Sequence, residues 1–89
     1  DHAHARLLAD GLAAINGIAL DPATVETNIV YFDVTHPTID AGALSAGLAA
    51  NNVLINATGA RRLRAVTNYH VSSRDVELVL DAVQDALIG

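Results

Sequence analysis

An α+β domain with elements in the order α-β-α-β-β-α, a three-stranded antiparallel sheet carrying its helices on one face, is what the patterning of this chain predicts. Three observations carry that expectation. Apolar residues recur at helical spacing near both ends, at Leu8, Leu12 and Ile15 and again at Val76, Leu80, Val83 and Leu87. Between them lies a β-branched and aromatic run from Thr27 to Val34. Two shorter β-prone runs, Val53 to Ile55 and Leu63 to Tyr69, are separated by the Gly-containing connection Asn56-Ala57-Thr58-Gly59-Ala60, which suits an antiparallel hairpin.

Each element follows from its residues. Asp1 to Ile15 is rich in helix formers and is stopped by Asn16-Gly17. This helix opens without a capping residue of its own, so more polypeptide is expected before it. Asp21-Pro22 reads as a turn or the start of a short helix. Thr27 to Val34 is the main strand, ended by His36-Pro37, and its apolar residues at both parities predict that both of its faces are covered. Asp40 can accept from the free amides of a second helix that carries Leu44 and Leu48 and ends near Asn51-Asn52. Ser72 or Ser73 caps the last helix, with Asp75 and Glu77 near its positive N-terminal end; this helix is expected to pack on the sheet.

Composition narrows the function. A chain of 89 residues makes one small domain with a modest core, so a partner domain or subunit is expected. There is no cysteine, hence no disulfide framework or thiolate zinc site. The lack of a long apolar run or a signal-peptide pattern predicts a soluble, cytoplasmic protein with no membrane partner. A net charge of −5, with Arg61, Arg62 and Arg64 as the one basic cluster, argues against nucleic acid as a partner. All five basic residues are Arg, so no Schiff-base lysine can come from these residues.

Among candidate chemical groups the arginines stand out. Arg62 and Arg64 fall on one side of a strand and Leu63, Ala65 and Thr67 on the other. A guanidinium meets a carboxylate with two parallel hydrogen bonds, so an arginine pair at this spacing can grip an anion, the alternative being a solvated strand face. His2 and His4, at i and i+2 on a helix, do not share a face and make a poor metal pair. His36 reads as a loop residue, His70 as a strand-end contact, Asp33 as a strand-end contact, and Ser72 and Ser73 as caps. Gly42, Gly47 and Gly59 form no phosphate-binding loop.

Three segments then point to a family. His2-Ala3-His4-Ala5-Arg6-Leu7-Leu8-Ala9, Thr27-Asn28-Ile29-Val30 and Arg64-Ala65-Val66-Thr67 occur here in the order and at the spacing seen in threonine aldolases, and the whole chain resembles the C-terminal small domain of those enzymes. Where the family commonly shows Val-Thr-His-x-Asp-Val, this chain has Val66-Thr67-Asn68-Tyr69-His70-Val71. The resemblance implies a fold-type-I pyridoxal-phosphate enzyme, a lyase of low specificity that cleaves threonine or allo-threonine to glycine and acetaldehyde. It also implies that Arg64 reaches the substrate's α-carboxylate. An upstream large domain would supply the lysine and the cofactor site, so residues 1–89 alone would bind no cofactor and be inactive. The full enzyme would be a homo-oligomer, a dimer or tetramer, acting on a small amino acid.

Two other readings stay open. One is the small domain of another fold-type-I enzyme, such as an aminotransferase, against which Thr27-Asn28-Ile29-Val30 speaks. The other is a stand-alone ferredoxin-like module for regulation or dimerisation, since β-α-β-β-α after the first helix approximates a split βαβ sandwich.

Overall fold

The computed structural model describes residues 2–25, 28–50, 53, 55–67 and 72–88. Helix α1 spans His2–Ala13, and its Ala5, Leu8, Ala9 and Leu12 are buried, a stripe at helical spacing. The chain leaves the helix through Gly17, whose φ of 96° is the left-handed conformation that a residue without a Cβ adopts freely. Strand β1 (Ile18–Ala19) and a 3-10 turn (Pro22–Thr24) follow, the turn capped by Asp21 Oδ1, which accepts from the Ala23 amide at 3.0 Å. Strand β2 (Ile29–Val34) leads to helix α2 (Ala41–Ala49), capped as the sequence predicts: Asp40 Oδ1 accepts from the Ala43 amide at 2.8 Å. Strands β3 (Asn56–Ala57) and β4 (Arg62–Val66) form a hairpin, and helix α3 spans Ser73–Ile88.

The class is α+β, as expected, but among the described residues the sheet has four antiparallel strands in the order β1-β2-β4-β3. The expected three-stranded sheet lacked β1. A two-residue strand has no periodicity to read, and β1 exists because the left-handed turn at Gly17 lays it against the end of β2, where the Thr35 amide donates to Gly17 O at 2.7 Å. Residues expected in the hairpin loop, Asn56 and Ala57, are instead the strand itself, while Val53 and Ile55, expected as strand, are not. Ile55 is nonetheless pinned, since Ser45 Oγ on α2 donates to its carbonyl at 2.6 Å. Thr27, Leu54, Asn51, Asn52 and the expected strand end at Asn68 and Tyr69 lie outside the described residues, as do Asp1 and His70.

Burial alternates cleanly along the two long strands. Val30, Phe32 and Val34 on β2 and Leu63 and Ala65 on β4 are buried with the helices, whereas Tyr31 and Val66 on the opposite face are 49% and 53% exposed. The expectation that both faces of the long strand are covered is therefore corrected: the helices cover one face, and the other is open in this chain. The core is a single cluster that joins α1, α2, α3 and the inner sheet face. Helix α3, expected to lie on the sheet, packs chiefly on α1 and α2 instead, with Val76, Val83 and Leu87 buried and Leu80 half-buried against Gly11 of α1. The absent side chain at Gly11 is what allows α1 and α3 to approach there.

At the start of α3 the choice between two serines is resolved. Asp75 N donates to Ser72 Oγ at 3.2 Å while Ser72 N donates to Asp75 Oδ2 at 3.0 Å, a reciprocal capping box with Ser72 as the cap.

A candidate carboxylate site on the open sheet face

The three clustered arginines have three different environments. Arg61 is held by the loop ahead of α2: its Nη1 donates to the carbonyls of His36 at 2.7 Å and Ile39 at 3.1 Å. The same loop is shaped by His36, whose Nδ1 accepts from the amides of Thr38 at 3.1 Å and Ile39 at 3.2 Å, so the loop reading of His36 holds. Arg61 thus serves the backbone, and its charge lies away from the strand ladder.

Arg62 stands opposite Asp33 in the β2–β4 register, and the two side chains meet as a fork. Arg62 Nε donates to Asp33 Oδ1 at 2.9 Å and Nη2 to Oδ2 at 3.3 Å. The hydrogen bond to Asp33, then its negative charge, raises the pKa of Arg62 above the ordinary arginine value. Both side chains are well exposed, 58% and 41%, so the pair adds little to stability. Its consequence is electrostatic: the carboxylate compensates the charge of Arg62. The expectation that Arg62 and Arg64 act together on an anion gives way to an ion pair at Arg62 beside Arg64, which forms no ion pair among the described residues.

Arg64 lies two residues further on, at the next position on the same face of the sheet. Its register partners are Tyr31 on β2 and Asn56 on β3, neither of them charged. Arg64 is half-buried, and its Nε is buried with no hydrogen-bond partner among the described residues. A buried guanidinium N–H with no acceptor costs free energy that an arriving carboxylate can recover. The rung Tyr31-Arg64-Asn56 runs across three strands of the open face, flanked by the Asp33–Arg62 pair on one side and Val66 on the other. An uncompensated cation beside a phenol and a primary amide can bind and orient an anionic group.

Sequence reasoning found Arg64 but not its neighbours. The sequence marks Tyr31 only as a strand residue and predicts a loop at Asn56, which lies in β3. The signal that finds both is the register, which spacing alone does not reveal. Among the described residues no group of three His, Asp or Glu side chains could hold a metal ion. Among the described residues, no helix is long and apolar enough to cross a membrane.

No protein-family model matches the chain. Two plant enzymes do resemble it. "Low-specificity L-threonine aldolase 1" of Arabidopsis thaliana is 33% identical over 89 residues, an alignment that covers 99% of this chain and 25% of that enzyme. "Probable low-specificity L-threonine aldolase 2" of the same plant is 36% identical over 85 residues, covering 94% of this chain and 24% of the enzyme. The chain spans about a quarter of the length of the curated relatives it matches. The likeness extends over nearly the whole chain, which is accordingly a threonine aldolase-like domain.

Proposed function

We propose that this chain is the small C-terminal domain of a pyridoxal-phosphate-dependent lyase that cleaves threonine or allo-threonine to glycine and acetaldehyde, and that Arg64 holds the substrate's α-carboxylate. The observation that carries the site is the contrast between two successive pairs on the open face. Arg62 is compensated by Asp33, whereas Arg64 faces neutral register partners and has a buried Nε with no hydrogen-bond partner among the described residues. Likeness to two threonine aldolases along nearly the whole chain supports the reaction class.

These residues suit the substrate carboxylate and not the cofactor. With no lysine in the chain, the amine that anchors pyridoxal phosphate comes from the rest of the polypeptide, a large domain preceding this one. When bound, the cofactor supplies the electron sink for breaking the Cα–Cβ bond. Arg64 binds the carboxylate through a charge-assisted fork and so fixes the orientation of the bonds at Cα. The same reading places the enzyme in the cytoplasm as a homo-oligomer. The split βαβ order of β2, α2, β3, β4 and α3 is shared by many unrelated domains and does not by itself favour a regulatory module.

In the intact enzyme, Arg64→Ala should lower kcat/KM for threonine and allo-threonine by about 2–5 kcal/mol in transition-state stabilisation, with cofactor absorbance retained. The control removes the neighbouring pair as a unit, because Arg62→Ala alone would free the Asp33 carboxylate beside Arg64. Asp33→Asn combined with Arg62→Gln should cost under about 1 kcal/mol. Equal small losses in both variants would remove Arg64 from the site.

A further inference from the structure

We infer that Asn56 is a second residue of the carboxylate site: its neutral amide leaves the charge of Arg64 available and contributes a hydrogen bond to the same anion. This rests on the reading of Arg64 given above. Asn56 and Arg64 are Cα partners in the β3–β4 ladder, so their side chains emerge on the same face, with Cβ atoms about 4.5–5.5 Å apart. That face is the open one, because Leu63 and Ala65, on either side of Arg64, are buried on the other.

The short strand that carries Asn56 is held from both ends. Ser45 Oγ fixes the Ile55 carbonyl at 2.6 Å, and the Thr58 amide donates to Arg62 O at 2.8 Å. An exposed asparagine on a backbone so anchored presents its amide at a defined place. The chemistry of the amide suits a mediator between cation and anion, because Oδ1 can accept from a guanidinium N–H while Nδ2 donates to a carboxylate. Arg64 offers only donors and a carboxylate only acceptors, so a group with both completes the set.

The preceding pair on the same face shows what a charged partner would do. Asp33, opposite Arg62, closes a fork and occupies that guanidinium. A carboxylate at position 56 would occupy Arg64 in the same way and compete with the substrate. Neutrality at this position is therefore a determinant of binding.

Two variants test this in the intact enzyme, beside Arg64→Ala. Asn56→Asp should raise KM for threonine on the order of tenfold or more, the value of one charge-assisted hydrogen bond, with a much smaller change in kcat. Asn56→Ala should raise KM about tenfold, as loss of a hydrogen bond to a charged group does, and by less than Asn56→Asp, which adds a competing carboxylate. A structural readout in the 89-residue chain is the NMR titration of the carboxyl introduced by Asn56→Asp. It should titrate below the ordinary aspartate value and return to that value when Arg64→Ala is added. If Arg64→Ala impairs turnover while both Asn56 variants keep KM within about twofold, Asn56 is excluded and the Arg64 reading stands. If Arg64→Ala is itself without effect, both fall. A carboxyl at position 56 that titrates the same with and without Arg64 also overturns the inference, whatever the kinetics.

Discussion

Gly17 and the Ser72–Asp75 pair show how much single residues decide at the ends of helices. At φ 96° the Gly17 backbone admits an L side chain only with strain, and an added Cβ would lie 3.4 Å from Leu87 Cδ1. Gly17→Ala should therefore cost about 1–2 kcal/mol of stability, read as a shifted urea midpoint; an unchanged midpoint would mean that the turn relaxes. At α3, the backbone hydrogen bond from Ser72, and then its hydroxyl, hold the Asp75 carboxyl below the usual carboxylate range. A carboxyl depressed in the folded state stabilises above its unfolded value and loses that contribution as pH falls through the folded value. Thermal melting of Asp75→Ala should thus lie below that of the unaltered protein near neutrality, and the gap should close on acidification below about pH 4. A gap that persists in acid would assign the effect to packing. Both were visible in part, as the helix stop Asn16-Gly17 and as a cap at Ser72 or Ser73 with Asp75 in the first turn, because caps and turn glycines are local devices. Arg64 was visible for a different reason, the likeness of Arg64-Ala65-Val66-Thr67 to a family motif. Its lack of a charged partner was not, since that depends on which residue lies across the strand.

At the scale of elements, the long helices and β2 were legible because each is long enough for its burial to repeat. The short strands were not. β1 and β3 have two residues each and exist by pairing with neighbours distant in sequence, so local propensity misassigned Asn56 and Ala57 to a loop. The packing of α3 on α1 and α2 was also hidden, because periodicity says which face of a helix is buried but not what buries it. Gly11 marks that contact. A Cβ there would collide with the half-buried Leu80 side chain, whose end can swing aside. A bulkier, β-branched side chain exceeds that give, so Gly11→Val should destabilise by about 1–3 kcal/mol as overpacking does. Adding Leu80→Ala should restore part of the loss, giving a favourable coupling in a double-mutant cycle. Strict additivity would mean that α1 and α3 do not meet at this pair in solution.

For the whole molecule the governing fact is that one sheet face is core and the other is open, which neighbouring residues of a single strand can test. Among the described residues Phe32 is the largest fully buried side chain, and Tyr31 beside it points to the open face. Phe32→Ala removes a large buried ring and leaves a cavity, a loss of about 3–5 kcal/mol. Net stability for a chain of this size is about 5–10 kcal/mol, so that variant should be close to unfolded or melt far below the unaltered protein. Tyr31→Ala gives up only a half-exposed ring in an otherwise solvated setting and should cost less than about 1 kcal/mol. The apolar residues at both parities of β2 predicted two covered faces, and that pattern still has meaning if the open face is covered in a larger assembly. The pair of variants separates these states: in the isolated chain a large gap between Phe32→Ala and Tyr31→Ala is expected, measured by denaturant unfolding at low protein concentration. If Tyr31→Ala proves nearly as damaging as Phe32→Ala, the outer face is buried in solution by self-association. The loss should then diminish on dilution, because stability that depends on a partner follows protein concentration.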